Sequence, residues 1–312
     1  MRVHIPDARI TGVGLAMSGV SGVADLLSGA ADRGGGGAAP PLELTGREMR
    51  NKDRASRLGL RCAEAALRDA GLLGVDGFLG PADRTAVVVS SNLGTVSSVC
   101  EFTDVIARKT VTGLSAFGLP ETGSNVVAGW IAIRHGLRGP NLTVCNGDAG
   151  GLDAVFWAQS LLACGRADVA LVAGVEPAGG AVWKLVGRRT REMGVAIVLE
   201  RGGRSAGRAR VGRYRRAADG NAAAAVAREA ATEPIALWLT GQQVAGGVAG
   251  GEIVDLEGQF GYSSGALGVL QCAAGVAHLD GGGAGPVVAI AGGVDGDAAS
   301  VLTLHRATRG ED

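Results

Sequence analysis

Aromatic residues are scarce in this 312-residue chain: five Phe, four Trp and two Tyr make up 4% of it. Large rings therefore cannot fill its interior. The 46% hydrophobic content must be built mainly from Ala, Val, Leu and Ile, with backbones packed closely, as 54 glycines permit. Net charge is also missing. Thirty basic and thirty acidic residues cancel, so nothing points to nucleic acid or an acidic membrane surface as the main partner. No apolar run is long enough to span a bilayer. The opening MRVHIPDARITGVG has no continuous apolar segment of the kind a signal peptide carries. Five cysteines, Cys62, Cys100, Cys145, Cys164 and Cys272, are odd in number, scattered and without CxxC spacing. That excludes a disulfide framework and a zinc site, and makes a reducing cytoplasm the expected compartment, with no metal and no cofactor. The length suits one large domain or two fused halves.

The most informative stretch runs from Gly139 to Ala154, GPNLTVCNGDAGGLDA. A Gly-Pro turn leads into a β-rich run, Leu142 to Cys145; small residues follow around Asp148, and a helical apolar pattern covers Leu152 to Cys164. Strand, tight turn and helix together lift one side chain to a helix N-terminus, where backbone N–H groups favour an anion. The residue in that place is Asp148 or a neighbour, and a carboxylate is a poor acyl acceptor. Cys145, three residues earlier, is expected on the strand itself, packed as a small hydrophobe.

Other elements read in order. Ile10 to Gly14 (ITGVG) suggests a strand entering a glycine turn. It is not a dinucleotide fingerprint, because the third glycine is misplaced and no acidic residue follows at the required distance. Gly34 to Pro41 (GGGGAAPP) reads as a loop. Met49 to Leu72 and Val99 to Lys109 have helical spacing. Asn125 to Gly136 does too, with His135 at its end in a capping or surface role. Arg84 to Ser90, Asp168 to Val175 and Gly194 to Glu200 read as buried strands, the second closing a βαβ unit around the helix from Leu152. Arg201 to Arg216 holds seven arginines, read as a solvated strand or loop face rather than a docking surface.

These motifs resemble the thiolase-fold β-ketoacyl synthases. The shared residues are the ITGVG opening, NVVAGWIAIRHGLRGPN, the turn at Asp148, and GRADVALVAGVE after the helix. Condensing members carry a cysteine where this chain has Asp148. The nearest resemblance is to the chain-length factors of type II polyketide synthases, which typically have glutamine there followed by AGGLDA, the sequence found at 149–154. The resemblance implies an α/β, thiolase-like layered αβαβα fold made of two similar halves, with loops shortened relative to ketosynthases. Residues 1–200 would form the half with the former nucleophile turn, and 201–312 a truncated C-terminal half.

The same comparison implies that catalysis has been lost. Where the family has a histidine in HGTGT, this chain reads Thr240-Gly241-Gln242-Gln243. Glu257 stands at the lysine position and Tyr262 at the second histidine position. Thiol, imidazoles and lysine are all absent, and with them the means of acyl transfer and malonyl decarboxylation. The expected role is then a non-catalytic subunit, paired with an active ketosynthase served by an acyl carrier protein. Phe102, Thr103, Ile106, Thr110 and Phe117 would line the substrate tunnel. Asn141, Leu142, Thr143, Val144, Cys145 and Asn146 would form the dimer interface. The alternatives are a malonyl-carrier-protein decarboxylase, which still needs the histidine pair, and an acyl-binding or hydrolytic protein using Asp148.

Overall fold

The computed structural model describes residues 8–28, 44–50, 52–116, 118–188, 190–202, 207–241, 250–293 and 298–307. The loop read at Gly34 to Pro41 lies outside them. The chain folds as the same unit twice. The first copy comprises β1 (Ala8–Met17), α1 (Arg54–Asp69), a small hairpin of β2 (Leu73–Gly74) and β3 (Gly77–Phe78), β4 (Thr85–Ser90), α2 (Val96–Lys109), α3 (Val126–His135), β5 (Asn141–Val144), α4 (Gly150–Ala163), β6 (Val169–Glu176), α5 (Gly180–Val186) and β7 (Met193–Arg201). The second, sparer copy is β8 (Ala209–Ala217), α6 (Gly220–Ala230), β9 (Leu237–Thr240), β10 (Glu252–Asp255), α7 (Leu256–Phe260), α8 (Leu267–Asp280), β11 (Val287–Gly292) and β12 (Ala299–Arg306).

Strand order makes the duplication explicit: β5-β4-β6-β7-β1 in one half, β10-β9-β11-β12-β8 in the other. In each half the first three strands are parallel and the last two pairings antiparallel. The halves join where Ala8–Ile10 pairs with Ala209–Val211. Helices α4 and α8 pack together between the two sheets, α1 and α3 cover the outer face of the first sheet, and α6 covers that of the second. This is a thiolase-like, five-layer αβαβα arrangement.

The sequence explains each layer. β4 and β6 are buried along their whole length, as strands covered by helices on both faces must be. α8 is apolar all round because sheets lie on both of its sides. α1 is one-sided; Leu58, Cys62 and Ala66 face the sheet, and the Asp53 carboxylate caps it by accepting from the Ser56 N–H at 2.6 Å.

The glycines of ITGVG are not a turn. They lie within β1, facing α1. A Cβ at Gly14 would stand 2.1 Å from the Cys62 carbonyl oxygen, and one at Gly12 would stand 2.4 Å from that of Ala66. They are present so that helix backbone can rest on strand backbone. α4 and α8 meet likewise: a Cβ on Gly268 would fall 2.2 Å from the Leu152 amide nitrogen, and one on Gly151 would fall 2.6 Å from that of Gly268.

Gly14→Val should therefore destabilise the protein by about 3 kcal/mol or prevent folding, because rigid backbone must move. Gly129, inside α3 with open space around its missing Cβ, gives the opposite expectation: Gly129→Ala should raise stability by roughly 0.5–1 kcal/mol. Denaturant midpoints of both variants check the pair, and equal effects would contradict this packing account.

Candidate functional site

The turn Gly147–Ala149 ends the segment after β5 and opens α4, with Gly147 at φ 62° allowing the reversal. Asp148 projects from it, half-buried. The Tyr262 hydroxyl donates to Asp148 Oδ1 at 2.6 Å. The Arg188 guanidinium lies 3.6 Å from the centre of the Tyr262 ring, and Thr190 forms a β-bridge with Tyr262. Chain from beyond α5 is thus laid across the residue that faces Asp148.

Two further carboxylates come close. Glu257, buried in α7, accepts from the Ser263 N–H at 3.0 Å and the Ser263 hydroxyl at 3.3 Å. Glu176, at the end of β6 and 2% exposed, accepts three backbone N–H bonds, from Asn92 (2.7 Å), Leu93 (2.9 Å) and Gly265 (3.1 Å). The Asn92 side-chain amide donates to the Gly147 carbonyl at 2.8 Å and to Ser264 Oγ at 2.9 Å. Ser264 holds φ at 44°, an unusual conformation for a side-chain-bearing residue. One acid and one amide therefore tie the Asp148 turn to the matching turn before α8.

Burial pushes the Glu176 carboxyl up to about 7; its three backbone donors oppose that rise and the Asp148 charge adds to it. Burial and the Asp148 charge also raise Glu257, against a lowering pull from Arg188. Tyr262 is pushed up to about 12, first by burial and then by its bond to Asp148. It remains a neutral donor across the physiological range.

The structure brings Asp148, Glu257 and Tyr262 together. Thr240 ends β9, while Gln242, Gln243 and Phe117 lie outside the described residues. Glu176, Arg188, Asn92 and Ser264 went unrecognised. Of these only Glu176 had a signal, an acidic residue ending a fully apolar strand.

Two expectations need correction. Cys145 does not pack on the strand: β5 ends at Val144, and Cys145 is exposed just beyond it, its thiol raised by partial burial and by Glu176. His135 is neither a cap nor a surface residue. It is 9% exposed, and burial lowers it to about 4, overcoming any preference for charge at a helix C-terminus. No residue of α2 is buried; Thr103, Ile106 and Thr110 are exposed in the single chain and Phe102 is half-buried against Gly118. In the arginine-rich stretch, Arg213, Arg215 and Arg216 are exposed, as a solvated face requires.

Asn141, Cys145 and Asn146 are exposed and Leu142, Thr143 and Val144 half-buried, on a strand at the end of the sheet. The Pro140 and Val144 carbonyls accept from Val87 and Ser91 of the β4 segment. By alternation, Asn141 and Thr143 direct their backbone groups to the open edge.

Among the described residues this site contains no imidazole, and its nearest thiol, Cys145, lies exposed two residues before the turn. Asp148, which projects from the turn, is engaged by Tyr262.

The architecture is a thiolase-like α/β fold. Within it, residues 42–194 match the family model of the β-ketoacyl synthase N-terminal domain. The chain is 31% identical over 134 residues to the 3-oxoacyl-[acyl-carrier-protein] synthase 2 of Rhizobium meliloti (strain 1021), covering 42% of this chain and 30% of that protein. Over 148 residues it is 34% identical to a candidate polyketide β-ketoacyl synthase 2 of Streptomyces virginiae, covering 44% and 36%. It spans about a third of the length of these curated relatives. The solved structure of the ishigamide ketosynthase/chain length factor superimposes with a TM-score of 0.80 at 21% identity, covering 97% of this chain and 100% of that one. No helix among the described residues is long and apolar enough to cross a membrane.

Glu176 makes stability depend on pH. Its folded value lies above the ordinary 4.5, so the stabilisation it contributes is full below 4.5 and is lost as pH rises through about 7. Glu257 acts in the same direction, and His135 in the opposite one as pH falls from 6.5 towards about 4. Glu176→Gln should therefore reduce, without abolishing, the fall in denaturation midpoint between about pH 5 and pH 8. An unchanged slope would remove Glu176 as its source.

Proposed function

We propose that the protein is a non-catalytic chain-length factor of a type II polyketide synthase. It would pair with an active ketosynthase, shape the tunnel in which that partner's chain grows, and leave condensation to the partner and its acyl carrier protein. The observation that carries this reading is the hydrogen bond from Tyr262 to Asp148 inside a thiolase-like shell. A carboxylate held by a neutral phenol supplies neither the thiolate nor the imidazoles that acyl transfer and decarboxylation require. On this reading the chain divides into halves near residues 200 and 201.

Two features support a partner. β5 is a four-residue edge strand with an open side, the kind of edge that another strand completes. α2 and the segments after it leave Val99, Ile106, Val111 and Leu119 exposed, with Trp183 and Leu185 of α5 nearby at 61% and 66%. Surface of this kind is expected to be covered in an assembly. In the pair, Asn141 to Asn146 would meet the partner's equivalent strand. Phe102, Thr103, Ile106 and Thr110, with Phe117, would form the tunnel floor. Control is steric: each buried methylene adds about 0.8 kcal/mol until the floor is reached, after which overpacking exceeds that gain.

The decarboxylase alternative lacks its imidazoles at this site, and hydrolysis through Asp148 would first have to displace Tyr262.

Co-expression with an intact ketosynthase should give a one-to-one complex on size exclusion, with condensation seen only in the pair. Thr143→Pro should break the complex while leaving the β4 ladder intact, because it removes an edge-facing N–H. Ile106→Trp should shorten the product by about one two-carbon unit by raising the floor. A monodisperse single chain that condenses or hydrolyses thioesters by itself would overturn the proposal.

A further inference from the structure

A cavity of about 450 Å³ lies on the outer helical layer, across the first sheet from α4 and the Asp148 turn. It is bounded by Glu64 and Arg68 of α1, the β2–β3 hairpin, and Arg134 and His135 at the end of α3. The size is that of a small-molecule site.

Its polar groups are unequally satisfied. Glu64 is occupied by Arg68, whose Nε and Nη2 donate to Glu64 Oε1 at 3.2 and 2.9 Å. Asp76 sits exposed at the hairpin tip. Arg134 forms no salt bridge among the described residues, although it lies near enough to Glu64 and His135 to act on both charges. The His135 ring is 9% exposed, and its Nε2 is buried with no hydrogen-bond partner. An unmatched buried nitrogen costs about 1–3 kcal/mol. One unpaired guanidinium beside one unsatisfied imidazole lacks a single acceptor group with two oxygens. The wall beyond them is apolar, formed by Leu73 and Phe78, which pack on the α1 side of the core.

From these groups we infer a binding site for a small organic carboxylate, its anionic end held by Arg134 and His135 and its apolar body against Leu73 and Phe78. Arg134 donates to a carboxylate, and His135 does so too in the tautomer that carries its hydrogen on Nε2 or when the ring is protonated, as Arg–carboxylate pairing favours. Glu64 and Asp76 disfavour a second negative charge, which selects a monoanion over a phosphate. The site is separate from the Asp148 turn, and the inference stands whether or not the chain is a chain-length factor.

Benzoate is the probe, with benzamide as its neutral counterpart, titrated into the full chain, or its complex where that is the stable form. The readout is the ring resonances of His135 in NMR spectra. Benzoate should move them saturably and raise the pH at which the ring titrates. That titration also feels Glu64, Arg68, Asp76 and Arg134, so it is compared with and without benzoate at fixed pH. Benzamide should leave the ring unmoved. Arg134→Gln, a change at an exposed side chain, should weaken benzoate binding by about tenfold or more, with folding verified by its denaturation midpoint. The inference is overturned by an absent or non-saturating response to benzoate, an equal response to benzamide, or unchanged affinity in Arg134→Gln.

Discussion

Two helix backbones touch at the centre of this molecule, and much of the rest follows from that contact. α4 and α8 lie between two sheets, so neither can move aside. Their N-terminal turns cross where Gly151 and Gly268 leave no room for a β-carbon. The crossing fixes the segments immediately before each helix, Gly147–Ala149 and Ser264–Ala266. Those segments are the equivalent turns of the two repeats and face each other because the repeats do. Glu176 and Asn92 bridge them, and the unusual backbone at Ser264 is held by these bonds and the helix that follows. The position of Asp148 is thus a consequence of helix packing rather than of local turn preference.

How much of this could be read from the sequence depended on whether the signal was local. β4, β6 and β7 are continuous apolar runs, and α1 and α3 are periodic with clear ends, so composition alone located them. The strand–turn–helix around Asp148 was legible for the same reason. The resemblance was densest from Arg84 to Glu200, and the family model likewise matches 42–194, within the first repeat. Failures came where a residue's environment is built by distant chain. Gly12 and Gly14 resemble a turn until α1 is seen to rest on them. His135 has a helix-end position, but its surroundings come from α1 and the hairpin. Cys145 sits one residue past the last β5 pairing, a boundary no propensity resolves. α2 has good helical spacing, yet its own chain covers it only in part, so no residue of it is buried.

The electrostatics of the site argue against a simple loss of one nucleophile. A condensing centre needs positive or hydrogen-bond-donating groups where negative charge develops on the substrate. Here Asp148, Glu176 and Glu257 converge; burial raises Glu176 and Glu257, and the Asp148 charge adds a smaller push in the same direction. At an effective dielectric of about 20, two like charges at contact range repel by roughly 4 kcal/mol. An oxyanion forming beside such a cluster would be destabilised by a comparable amount. Arg188 could offset part of this, but its guanidinium is stacked on Tyr262. A thiol at residue 148 would therefore still face two buried acids and the Tyr262 phenol. The whole environment has been rebuilt around an acid that accepts a hydrogen bond. On the proposed reading such a centre has no charged intermediate to stabilise, and what the shell would contribute to the pair is its shape.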